Sequence, residues 1–150
     1  MQSGSNAQPV EEWVRRYNGP GNSFDIVSKL IIGKNDNIFV YGSGSGKGSL
    51  YDFTIINYDS KGRTKWTKIY NGPGNSTDNI NSACIDDQNN SYVTGFTSDT
   101  SLLSNLTTAK FDSSGNMIWI KEYRNSVFSN GYGVDITLDH NGNVFVCGAA

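Results

Sequence analysis

Three tryptophans recur at one fixed spacing in this chain of 150 residues. Trp13, Trp66 and Trp119 stand 53 residues apart, and Tyr17, Tyr70 and Tyr123 follow each of them by four. The string YNGPGNS begins at Tyr17 and returns letter for letter at Tyr70. Asn37, Asn90 and Asn143 open the runs NIFVYG, NSYVTG and NVFVCG, which end at Gly42, Gly95 and Gly148. Asp59-Ser-Lys-Gly62 matches Asp112-Ser-Ser-Gly115 in the same frame. A fixed period of this size marks a supersecondary unit that cannot bury its own apolar faces and therefore stacks on its neighbours.

One period reads as four strands. The first carries Ile80–Ile85 in the middle repeat and Val134–Leu138 in the last, apolar at alternate positions as a pleated strand requires. The second is Ser91–Gly95. Between them lie clusters of Asp, Asn and Gly, Asp86–Asn90 and Asp139–Asn143, which close tight turns through side-chain bonds to the backbone or positive φ. The third strand runs near Leu106–Phe111 and the fourth near Met117–Tyr123, joined by an Asp-Ser-Ser-Gly-Asn turn. Helix-period apolar stripes with caps are missing while Val, Ile, Tyr, Phe and Thr fill the runs, so no helix is expected.

Two hairpins in a unit of about 50 residues match the arithmetic of a β-propeller blade. YNGPGNS falls where the outermost strand of one blade crosses to the innermost strand of the next. Such a crossing needs a sharply bent loop, for which Pro20 and Pro73 fix φ and the flanking Gly and Asn supply unusual backbone angles. The expected fold is therefore all-β: propeller blades of four antiparallel strands on a 53-residue repeat. The expected parts are a disordered leader over 1–10, an outer strand over 11–17, blades over 24–70 and 77–123, and a half blade over 130–150. Together they make about two and three-quarter blades, short of the roughly 4 to 8 that close a ring. An incomplete ring leaves strand edges and apolar faces open, which invites association. The segment is expected either to belong to a longer propeller or to assemble with copies of itself.

The W-x-x-x-Y pair, the glycine-rich crossing, and the apolar strand followed by D-x-x-G-N and a V-x-V-x-G-like strand resemble the SBBP-type repeat of bacterial secreted β-propellers. They are more distantly similar to NHL-type blades. The likeness covers residues 13–150 and is best at Trp66–Asp78 and Asp139–Gly148. It departs at Gly33-Lys-Asn-Asp, where the turn aspartate is missing, and at the third crossing, Arg124-Asn-Ser-Val-Phe-Ser-Asn. The resemblance implies a propeller fold and an extracellular or periplasmic bacterial setting. It implies no shared catalytic residues.

With 36% hydrophobic and 12% aromatic residues the chain can bury a core between neighbouring units. A net charge of −2 gives no basic field to attract nucleic acid or anionic lipid. No apolar run approaches the ~20 residues of a bilayer span, and MQSGSNAQPV lacks the regions of a signal peptide. Cys84 and Cys147 fall at non-equivalent positions of the repeat and are expected as free or buried thiols, with a bridge between them undecided by spacing alone.

No constellation of reactive residues stands out. Gly42-Ser-Gly-Ser-Gly-Lys47 misses the phosphate-loop pattern, with Tyr41 and Gly48 at the deciding places, and aligns with Gly95–Ser101 as an exposed loop between second and third strands. Asp86, Asp87, Asn89, Asp139, Asn141 and Asn143 lack the ligand order of a calcium loop and read as turn residues. His140 is the only histidine and sits in a turn, so neither a triad nor a zinc site can be assembled around it. Glu11, Glu12 and Glu122 are the only glutamates, and Asp25 and Asp78, at equivalent positions, read as caps at the start of a strand rather than a glycosidase pair. The tryptophans are candidates for sugar stacking, but their strict repetition on outer strands favours packing between units.

No catalytic, cofactor or metal site is therefore expected, and no cofactor. The leading expectation is a non-enzymatic structural or interaction module, its partners copies of itself or the remaining blades of a longer chain. The alternatives are recognition of a glycan or surface protein by the loops Asn18–Ser23, Asn71–Ser76 and Ser98–Ser104, and a fragment of a larger propeller enzyme.

Overall fold

The computed structural model describes residues 10–124 and 130–149. It is all-β. Sheet A joins β1 (Ile26–Ile32), β2 (Ile38–Ser45), β3 (Tyr51–Tyr58) and β4 (Thr64–Tyr70) in sequential antiparallel order. Sheet B repeats the order with β5 (Asn79–Ile85), β6 (Ser91–Ser98), β7 (Ser104–Phe111) and β8 (Met117–Tyr123). Sheet C pairs β9 (Tyr132–Leu138) with β10 (Val144–Ala149). No barrel closes among the described residues.

The sheets stack face to face. β5 packs against β1, β2 and β3, and β9 packs against β5, β6 and β7. Alternation decides which side chains enter the seam. Phe39 and Tyr41 of β2 and Phe53 and Ile55 of β3 share one face of sheet A, and all are buried against Ile80, Ala83, Val93 and Ala109 of sheet B. Tyr41 Oη and Ser91 Oγ bond across the seam at 2.8 Å, and burial holds the phenol above its ordinary pKa.

A bulge recurs in each first strand. The register skips Ser28 in β1, Asn81 in β5 and Val134 in β9. The bulged residue reaches forward to the next sheet: Ser28 Oγ donates to Ile80 O, and Asn81 Nδ2 donates to Gly133 O at 2.7 Å. An unpaired residue in a strand is free to aim its side chain outward, and here the freed side chain tethers successive units.

The hairpin turns follow one chemistry. Asp86 accepts the N–H groups of Gln88 and Asn90 and the Asn90 amide, and Asp112 and Asp139 repeat those bonds four residues onward. These donors hold all three carboxyls below the usual pKa despite partial burial of Asp86. At the first turn Gly33 replaces the aspartate, and the neighbouring sheet supplies what is missing: Asn89 Oδ1 accepts from Lys34 N at 2.8 Å and Asn89 Nδ2 donates to Lys34 O at 3.3 Å. A Cβ on Gly33 would collide with that same Asn89 oxygen. The turn winds into a three-residue 3-10 segment, Lys34–Asp36, the one departure from the helix-free expectation among the described residues.

Two other expectations are corrected. Residues 11–17 form no strand, although Trp13 sits on the β3–β4 turn as Trp66 sits on the β7–β8 turn. Trp13 Nε1 donates to Ser60 O at 3.3 Å and Trp66 Nε1 to Ser113 O at 3.1 Å, and Gly62 and Gly115 lie beneath the two indoles. The segment has the contacts of a fourth strand toward the next sheet but no third strand beside it, and a strand is defined by its backbone partners. Second, Gly42–Ser45 is not an exposed loop: β2 runs through it to Ser45, β6 runs to Ser98, and residues 41–46 are buried. Gly42 and Gly95 are glycines because the bulge in the preceding strand brings Ile26 O and Asn79 O against them, where a Cβ has no room. The leader over 1–9, residues 125–129 of the third crossing and Ala150 lie outside the described residues.

Candidate functional site

The free face of sheet A exposes a group of apolar side chains. Val27 and Leu30 of β1 are 67% and 58% exposed, whereas Ile80 and Ala83, one period later, are 0% and 3% exposed beneath sheet A. Val40, Ile56 and Tyr58 share this face with Leu30, in register across β1, β2 and β3. The segment 11–17 walls one side, with the Trp13 and Tyr58 rings 6.2 Å apart, and the enclosed groove holds about 370 Å³. The equivalent face of sheet B is covered by Phe39, Tyr41, Phe53 and Ile55 of sheet A.

The crossings are built as one mould cast twice. Asn22 and Asn75 take positive φ, of 52° and 47°, and close on Gly19 O and Gly72 O. Gly21 N and Gly74 N donate to Ser45 O and Ser98 O. Asp25 accepts from Gly19 N and Ser45 N at 2.9 Å each, and Asp78 accepts from Gly72 N and Ser98 N. Asn18 and Asn71 each donate their amides to the asparagine four residues on, at 2.6 Å. These bonds hold the loop in one shape, which explains why the string repeats, and Asn75 Nδ2 adds a bond to Gly48 O at 2.8 Å.

Burial separates the two aspartates. Asp78 is fully buried, and desolvation pushes its carboxyl up to about 6, aided by Asp52 and Glu122 and opposed by the Gly72 and Ser98 N–H groups. Asp52 is also buried and raised by burial; Ser49 Oγ reaches one of its oxygens, and the other has no partner. Tyr17 Oη lies buried without a partner near Thr54. The Asp78 carboxyl is committed to the crossing, and Glu122 to Thr97 Oγ1 at 3.1 Å and Asn105 Nδ2 at 3.3 Å.

The remaining residues of interest are dispersed. His140 lies exposed in the β9–β10 turn, and Asp87, exposed, meets only Lys34 at 3.7 Å. Cys84 and Cys147 are unbridged, and burial pushes the Cys84 thiol up to about 11, which keeps it from acting as a thiolate at neutral pH. Among the described residues no three His, Cys, Asp or Glu side chains converge on one point, and no helix is long and apolar enough to cross a membrane. Sequence reasoning missed the groove on sheet A because it requires knowing which face of the first sheet has no neighbour.

Fold and surface together define a repetitive all-β protein made of stacked antiparallel sheets with an open apolar end. A scan against protein-family models finds no match to this chain, and a search of the curated proteins finds none either.

Proposed function

We propose that the chain is a non-enzymatic structural and interaction module, a run of β-propeller-type blades of the SBBP kind from a secreted bacterial protein, which docks another sheet of the same repeat onto its open end. Supporting the blade reading are the sequential four-strand order in both complete sheets, the placement of β5 and β9, each a first strand, against the preceding sheet, and the crossing from β4 to β5. The observation that carries the docking is the exposure of Val27 and Leu30 at positions whose equivalents, Ile80 and Ala83, are covered. In a solution of this chain the occupant is a second copy, offering the outer face of sheet C, where Phe145 stands two periods after Phe39 and is 55% exposed.

Light scattering coupled to gel filtration tests this. The wild type is expected at a discrete multiple of 16.4 kDa, and Val40→Asp, which puts a charge in the groove, at the single-chain mass. A folded wild type that stays monomeric at every concentration overturns docking between copies.

A further inference from the structure

A second cleft opens at the turn end of the seam between sheets A and B, away from the groove and from the crossing loops. It encloses about 500 Å³, within the range of small-molecule sites. Trp66 forms an apolar wall; the Asn37 and Asn89 amides on the lining are bonded at both ends to Lys34 and Lys65, which leaves the Gln88 amide and the Asn57 oxygen to face a ligand. No carboxylate lines it, and its one cation, Lys65, donates to Asn37 Oδ1 at 3.0 Å.

Among the residues lining this cleft, Asn57 is the one that carries a buried polar atom without a partner. It is 1% exposed; its Nδ2 donates to Ile38 O at 3.3 Å, while its Oδ1 is buried with no donor. Because the nitrogen must face the Ile38 carbonyl, turning the amide over would not repair this. A buried acceptor without a partner is costly, and natural structures retain few of them. One period later the position is Lys110, whose Nζ lies 4.8 Å above the Tyr92 ring. The aromatic pair beside it is common to both sheets: Phe39–Trp66 at 6.1 Å and Tyr92–Trp119 at 6.3 Å, both edge to face. The repeat therefore needs the aromatics and does not need the asparagine.

We propose that this cleft binds a neutral sugar unit, with Asn57 Oδ1 accepting a hydroxyl of the ligand and Trp66 bordering its C–H surface. Amides both donate and accept, as sugar hydroxyls do, and an indole wall suits the apolar face of a pyranose. This site does not depend on the propeller reading or on docking between copies.

The test is a tryptophan-fluorescence titration of the full chain with methyl pyranosides of glucose, galactose, mannose and N-acetylglucosamine, with methyl glucuronide as the charged comparison. At least one neutral glycoside is expected to saturate below about 50 mM, on the millimolar scale of weak binding. Asn57→Lys, the residue of the next repeat, and Asn57→Leu, of similar size without the acceptor, are expected to weaken it about tenfold or more, as the loss of one charge-free hydrogen bond and an orphaned ligand hydroxyl implies. Asn71→Ala in the crossing is expected to bind as wild type. In the wild type, the Asn57 side-chain amide resonances should shift with the same saturation curve, a readout that needs no variant. No saturation by any neutral glycoside, binding by the glucuronide alone, equal affinity in a folded Asn57→Leu chain, or unmoved Asn57 resonances would each overturn the proposal.

Discussion

Asp78 gives the sharpest test of how this fold is held. Its carboxyl is fully buried and sits at about 6 against an ordinary 3.8, so the native state holds that proton more tightly than the unfolded chain does. The stability it contributes is complete below pH 3.8 and is lost as pH rises through about 6. At about 1.4 kcal/mol per pH unit the whole loss is about 3 kcal/mol, an order-of-magnitude figure that is large beside the 5–15 kcal/mol typical of a domain. Asp78→Asn cannot ionise, but its Nδ2 meets one of the two backbone N–H groups that the carboxyl accepts, so the variant starts below the wild type near pH 4. From there to pH 7 the difference between the two should move in the variant's favour by about 3 kcal/mol. Urea unfolding followed by tryptophan fluorescence at pH 4, 5, 6 and 7, extrapolated linearly for both proteins, measures the difference. Parallel curves, or a wild type that gains on the variant as pH rises, would mean that the Gly72 and Ser98 N–H groups outweigh desolvation, and the reasoning would fail. The turn carboxyls of Asp86, Asp112 and Asp139 act in the opposite sense, their contribution present above the ordinary carboxylate range and lost in stronger acid, so they leave this window clear.

Two further outcomes are expected. Gly74→Ala sets a Cβ against the backbone oxygens of Ser98 and Asp99, which cannot swing away, and should cost about 1–3 kcal/mol in the same unfolding assay, whereas a comparable loss at Gly142, whose Cβ meets nothing, would arise only from its positive φ. Asn89→Ala removes both bonds to the Lys34 backbone across the seam; stability should fall by about 1 kcal/mol, and hydrogen exchange at the Lys34 amide should quicken while that of Asp139-turn amides stays unchanged.

Much of this architecture is legible because it is written in short-range signals. The Asp-x-x-Gly-Asn turns specify their own hairpins through bonds that span four residues, and β8 begins and ends where the alternation places it. The crossing could be located because a loop so constrained tolerates few residue types. Glycines misled where their role was not local. Gly42 and Gly44 look like a flexible linker in one dimension, yet they are strand residues whose missing side chains make room for Ile26 O and for Thr54 and Tyr17. The replacement of a turn aspartate by Gly33 likewise reads as a defect until Asn89, 56 residues later, is seen to complete the turn.

The cleft beside Trp66 lies between these cases. Asn57 against Lys110 is visible as a break in the repeat, but a break alone does not distinguish drift from use, and only the packing reveals the orphaned oxygen. By itself the sequence determined the period, the hairpins, the turns and the absence of long helices, because each is set by interactions within one unit. Only the tertiary structure decided that Asp78 is buried, that residues 11–17 lack a strand partner, and that one face of sheet A stands open where its repeats are covered. Those properties depend on which unit stacks on which, and identical residues in a repeat acquire different exposures, and so different charges and contacts, from their place in the stack.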